Sequence, residues 1–228
     1  MNSSSYSDFV ERSAQGTLFC TTWWLDTVAP GRYQILIVEK GGKIHGAWPI
    51  ILNRSRLGET IIGMAPLTPW LGILYRPPAS PKLANQLSEQ KDLSAELIQQ
   101  LPKFDTLNIK FHRNFDYWSP FYWEGFDQTT RYTYVLEDLS DLDAVWQGLR
   151  SNIRSDVRKA GKEKISVEET DDMEVFLDVH AMTFARQGMQ MPYSDDFVRR
   201  VDAACREQGV RKIFIGRGQE GSVHAAAY

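Results

Sequence analysis

The sequence predicts a mixed α/β fold with a mixed sheet, arranged as two tandem copies of one αβ unit. Residues 1–138 form the first copy and 139–228 the N-terminal part of a second, incomplete one. Three observations predict it. Apolar segments of helical and of strand period alternate along the chain, the pattern of helices packed on a sheet. A helix, a glycine stop and a strand occur twice at one constant offset: Phe19, Trp23, Gly31, Ile35 and Ile37 are answered by Phe197, Val201, Gly209, Ile213 and Ile215. One residue further along, KIHGAW around His45 is answered by SVHAAA around His224. Finally, the first copy continues long past His45, so the second is expected to need a comparable stretch beyond Tyr228.

In order, TLFCTTWWLDTVA (17–29) reads as a short helix ended by Pro30 and Gly31. YQILIVEK and KIHGAWPIIL are strands joined through Gly41 and Gly42, a primed-turn signal. Glu59–Gly63 is a further strand. APLTPWLGILYRPPASP follows, dense in Pro, Gly and aromatics. It is either an irregular connection that buries Trp70 and Tyr75 or the wall of a substrate groove. Ser80 and Pro81 open a helix that runs to Leu101 and stops at Pro102. TLNIKFH is a strand, FDYWSPFYWEGF an aromatic loop and RYTYVLE another strand. Ser140–Lys162 reads as one helix, capped by Ser140. KISVEE is a strand. Asp171 and Glu174 cap the helix EVFLDVHAMTFARQG, Ser194 caps DDFVRRVDAACREQG, and VRKIFIGRG and SVHAAAY close the chain as strands.

Composition excludes several classes. A net charge of −3 and a pI near 5.8 exclude a general nucleic-acid binder, so DNA is not an expected partner and any basic surface is local. Two distant cysteines, Cys20 and Cys205, make neither a disulfide framework nor a Cys-rich metal site. The four histidines are isolated from one another, and no metal is expected. The start is polar and acidic, and no apolar run has membrane-spanning length, so a cytoplasmic protein is expected. Gly216, Gly218 and Gly221 spell a dinucleotide fingerprint, but a strand follows where that mechanism needs a helix. The triplet therefore reads as a hairpin turn. The absence of a Gly-x-Ser-x-Gly elbow or a catalytic-cysteine signature argues against a covalent acyl-enzyme.

The helix at 140–162 has two faces. Leu142, Trp146, Leu149, Ile153 and Val157 form an apolar stripe for packing on a core. Arg150, Arg154, Arg158 and Lys162 recur at steps of four as a cationic band beside it. Like charges so spaced repel by a few tenths of a kcal/mol per pair, about 0.2–0.5. Something must offset them: a solvated face tempered by Asp156 and Glu163, or a bound anion such as phosphate.

RYTYVLEDLSDLDAVWQGLRSNIRSDVRKAGKEKISVEE is similar to the strand, helix and strand of one family, whose helix reads Leu, Trp, Leu, Arg and then Ile/Val-Arg-Lys-Ala. PLTPWLGILYRPP and the helix containing MTFARQG support the likeness, although Pro77-Pro78 stands where that family usually has Gly-Pro. On these motifs the chain resembles the Fem-type peptidoglycan-bridge aminoacyltransferases and their GNAT-like acetyltransferase relatives. The resemblance implies tandem GNAT-like domains and transfer of an acyl or aminoacyl group to an amine on a cell-envelope precursor. Acyl-CoA or aminoacyl-tRNA is the implied donor, with tRNA a partner in that role only and no covalently bound cofactor. The pyrophosphate loop of GNAT enzymes is expected beyond Tyr228, so residues 1–228 by themselves are expected to be inactive. Arg76, Arg150, Arg154 and Arg186 are the candidates for gripping phosphate or carboxylate, and Trp70 and Tyr75 for offering faces to a sugar or base. No residue is assigned as catalytic base. The alternative is a non-catalytic module that recognises a sugar nucleotide or peptide in an aromatic groove.

Overall fold

A computed structural model describes residues 3–228, with side chains from Ser5 onward. The chain is mixed α/β and divides into two compact units, up to Thr129 and from Thr130 to Tyr228.

The first unit opens with α1 (Ser3–Arg12), a 3₁₀ turn at Leu18–Cys20 and α2 (Thr22–Val28), which buries Trp24, Leu25 and Val28. The expected helix at 17–29 is thus split at Thr21, whose backbone is extended (φ −73°, ψ 152°). Pro30 and Gly31 end it, and Gly31 takes the left-handed φ of 67° that favours glycine. β1 (Tyr33–Lys40) and β2 (Lys43–Arg54) form the hairpin, turning through Gly41 and Gly42 with Lys40 opposite Lys43. β3 (Thr60–Gly63) pairs antiparallel with β2, and β4 (Leu74–Tyr75) pairs with β2 at Gly46 and Ala47. α3 (Leu83–Gln99) then crosses to β5 (Thr106–Leu107), which runs parallel to β3. The sheet order is β1-β2-β3-β5, with β4 off this path on β2.

Trp48, Ile50 and Ile62 from the sheet, Leu93 and Leu97 from α3, and Phe121 from the short α4 (Ser119–Trp123) make the core. The expected strand TLNIKFH shortens to two residues. Ile109 and Phe111 pack on that core, and the amide of Leu71 reaches Lys110 outside any ladder (2.7 Å). Cys20 and Cys205 are free and buried.

The second unit carries α5 (Leu142–Gly148), α6 (Ser151–Lys162), β6 (Ser166–Thr170), α7 (Met173–Arg186), α8 (Asp195–Glu207), β7 (Ile213–Arg217) and β8 (Val223–Ala227). β6-β7-β8 is an antiparallel sheet. Met173, Leu177 and Val198 pack on Ile213 and Ile215. Asp172 caps α7, one residue after the expected Asp171, and Ser194 caps α8 as expected. Gly209, between α8 and β7, has φ 66°, the same conformation as Gly31 between α2 and β1. His45 and His224 each lie in the second strand of their hairpin; of the glycine triplet, Gly218 and Gly221 make the β7–β8 turn and Gly216 is part of β7.

Four expectations are corrected here. Residues 140–162 are two helices: Leu149 (ψ 146°) and Arg150 (ψ 148°) are extended between them. Gly148 is the weak point, since glycine costs about 1 kcal/mol in a helix interior relative to alanine. Asp141, rather than Ser140, caps α5 by accepting from the Ala144 amide (2.9 Å), while the Ser140 amide donates to Asp138. The apolar stripe does not pack on a core in this structure: Leu142 is 72% and Val157 51% exposed. RYTYVLE is no strand, because among the described residues no neighbouring strand supplies its ladder hydrogen bonds.

Candidate functional site

In the first unit the register of β2 against β4 brings His45 beside Arg76, and the Arg76 amide donates to the His45 carbonyl (3.0 Å). Glu89, on α3, completes the group. Its Oε1 accepts from Arg76 Nε (2.8 Å) and Nη2 (2.6 Å), and His45 Nδ1 lies 3.6 Å from the same oxygen. These side chains are one-sixth to one-third exposed, beside a depression of about 350 Å³ lined by Lys40, Asn85, Ser88, Glu89 and Asp92. Arg76 was legible as a candidate. Its partners were not, because Glu89 lies on a helix with no motif around it. The pairing sets the chemistry: Glu89 holds the Nε–Nη2 edge of the guanidinium, so an incoming anion has to displace it to use that edge.

Trp70 and Tyr75 are placed differently from each other. Tyr75 is buried, its hydroxyl shares a 2.6 Å hydrogen bond with Ser94, and its ring stacks on Phe115. Burial raises its pKa, so it holds its proton. Trp70 is half-buried, edge-on to Phe19 (5.9 Å) and to His112 (5.5 Å), and its buried Nε1 has no hydrogen-bond partner.

In the second unit the α5–α6 elbow organises the cations. Arg154 turns back from the first turn of α6, and its Nη1 donates to the carbonyls of Gln147 (2.8 Å) and Leu149 (2.5 Å). Those carbonyls end α5, where a helix carries partial negative charge. Arg158 lies over the Trp146 ring, 5.6 Å from its centroid, a cation–π contact. Two of the four cations in the band therefore meet their offset within the chain. Arg150, the α6 N-cap, and Lys162, in its last turn, face solvent. Arg186 is exposed on the last turn of α7, just before Gly188 (φ 65°). An exposed Arg at a helix start can pair with two oxygens of a phosphate while neighbouring amides face the same anion. Among the described residues, no group of three or more His, Cys, Asp or Glu is placed to hold a metal ion, and no helix is long and apolar enough to cross a membrane.

No family model matches this sequence, and no curated protein does. Among solved structures the chain is similar to a crystal structure of FemX, with a TM-score of 0.58 and 15% identity. The likeness covers 95% of this chain and 56% of the FemX chain, so the protein spans little more than half the length of that neighbour. The class defined is a mixed α/β protein with a Fem-like fold. At this identity the relation to FemX is one of fold.

Proposed function

We propose that the protein is a GNAT-like N-acyltransferase of the Fem type, with residues 1–138 as its first domain and 139–228 as the start of its second. It moves an acyl or aminoacyl group from a CoA thioester or an aminoacyl-tRNA onto an amine of a cell-envelope precursor, in the cytoplasm. The observation that carries this reading is the FemX-like fold over 95% of the chain. It coincides with the Fem-like sequence motif at 131–169. In the reaction the amine attacks the donor carbonyl directly. The tetrahedral oxyanion collapses to an amide, the thiolate or ribose oxygen departs, and the amine proton passes to it. The exposed cations Arg150 and Lys162 hold phosphate groups of donor or acceptor, and the positioning this gives is the contribution of the chain described here.

Incubation of the purified protein, including any residues that follow Tyr228, with labelled acyl-CoA or aminoacyl-tRNA and an amine-bearing envelope precursor tests it. Label is expected in a base-stable amide. Calorimetric binding of the precursor with no amide formed would instead identify a binding module and overturn the proposal.

A further inference from the structure

Residues 131–137 have the composition of a strand. Their β-branched and aromatic residues suit a sheet, and along an extended chain Tyr132, Tyr134 and Leu136 share one face while Arg131, Thr133, Val135 and Glu137 share the other. In the structure residues 126–139 carry no helix, strand, turn or bend. Tyr132 and Tyr134 are 93% and 94% exposed, and Leu136 is 64% exposed. Such a segment offers amides and carbonyls to another strand, with apolar side chains left in water until it pairs.

The order of residues is self-complementary. Side chains directly opposite in an antiparallel pair share a face, so a two-fold axis relating two identical strands must pass through a residue position. With the axis at Tyr134, Arg131 faces Glu137 of the other copy, Tyr132 faces Leu136, Thr133 faces Val135, and the two Tyr134 rings meet. The opposite-charge pair and the Tyr134 pair are favourable cross-strand pairs, Tyr132–Leu136 and Thr133–Val135 set apolar atoms together, and each unlike pair occurs twice. Axes at Thr133 or Val135 set Arg131 against Val135 or Leu139 and match no charges. Glu137 also has an interaction within its own chain. A carboxylate accepts from several donors, so it can take the cross-copy Arg131 whatever else it meets.

From this we infer that two copies of this chain associate through residues 131–137, paired antiparallel about Tyr134, with Arg131 and Glu137 setting the register. The inference uses none of the acyltransferase chemistry, although residues 131–137 also open the Fem-like motif on which that reading draws.

Analytical ultracentrifugation over about 1–100 µM, the range of a modest interface, is expected to show a dimer of the wild-type chain. Arg131→Glu or Glu137→Arg sets like charges opposite each other twice and is expected to weaken association about tenfold or more. The double reversal Arg131→Glu with Glu137→Arg restores it. Hydrogen exchange on the wild-type chain is the second measurement, with the amides of 131–137 gaining protection as concentration rises. A monomer at every concentration, a dimer indifferent to the single reversals, a double variant that stays dissociated, or amides whose exchange ignores concentration would each overturn the inference.

Discussion

The guanidinium of Arg154 closes the C-terminal end of the preceding helix, donating to Gln147 at 2.8 Å and to Leu149 at 2.5 Å. A residue placed by its spacing in a cationic band therefore spends its charge on the two carbonyls that α5 leaves open. Arg154→Ala is expected to loosen the elbow at a cost of about 1 kcal/mol, a part-exposed charged hydrogen bond being worth less than a buried one. Chemical denaturation of the variant checks the figure. An unchanged midpoint would show that the contact contributes nothing.

Gly72 faces Phe111 at close quarters, since a Cβ there would sit 2.4 Å from the ring's Cδ1. Phe111 is held by Phe115 (4.3 Å) and Phe121 (5.2 Å), so it has little room to retreat. Gly72→Ala is expected to destabilise by about 1–3 kcal/mol, the cost of overpacking. The second change Phe111→Leu is expected to recover part of that loss, and thermal melts of single and double variants measure both.

Arg211, with a side chain only 5% exposed, pairs with Asp202 (2.9 Å) and with Asp171 (2.5 Å), tying α8 and the β6–α7 turn to the start of β7. Removing Asp202 leaves a buried cation with one exposed partner. Asp202→Ala is therefore expected to cost about 2–3 kcal/mol, less than stripping a pair with no second acid. Urea unfolding of this variant beside Asp202→Ala with Arg211→Met separates loss of the pair from the stranded charge, and the double variant is expected to be the more stable of the two.

His112 has a pKa lowered from its ordinary 6.5, first by burial and then by the charge of Arg113. Its Nδ1 accepts from the Asn114 amide (3.2 Å), which a proton on that nitrogen would forbid. With the folded pKa below the unfolded one, the unfolded chain takes up the proton first as pH falls. Stability is expected to decrease as pH drops below about 6.5 and to level off beneath the folded pKa. His112→Gln is expected to flatten that part of a stability–pH profile, and equal slopes in the two proteins would refute the assignment.

Much of the element order was legible. The primed turn at Gly41–Gly42, the Ser194 cap and the αL glycines at 31 and 209 are local features, set by backbone sterics within a few residues. The candidate site was legible only in part. Arg76 and Arg154 were visible as cations, but Glu89 is 13 residues from Arg76 and carries no pattern that announces the pair. Helical spacing gave Arg154 a face but not a partner, because its partners exist only once the chain breaks at Leu149. Tyr75 sat in a segment readable either as a buried connection or as a groove wall. Its hydrogen bond to Ser94 decided for the interior.

By itself the sequence determined the mixed α/β class, the two helix–glycine–hairpin segments and the charge pattern of 150–162, since periodicity and glycine conformation act over short range. Tertiary structure alone decided which cations meet a carbonyl, a ring or water, and left 131–137 outside any sheet. The physical reason is that strand pairing and charge compensation join groups far apart in the chain, and nothing in the local order of residues fixes which of them meet.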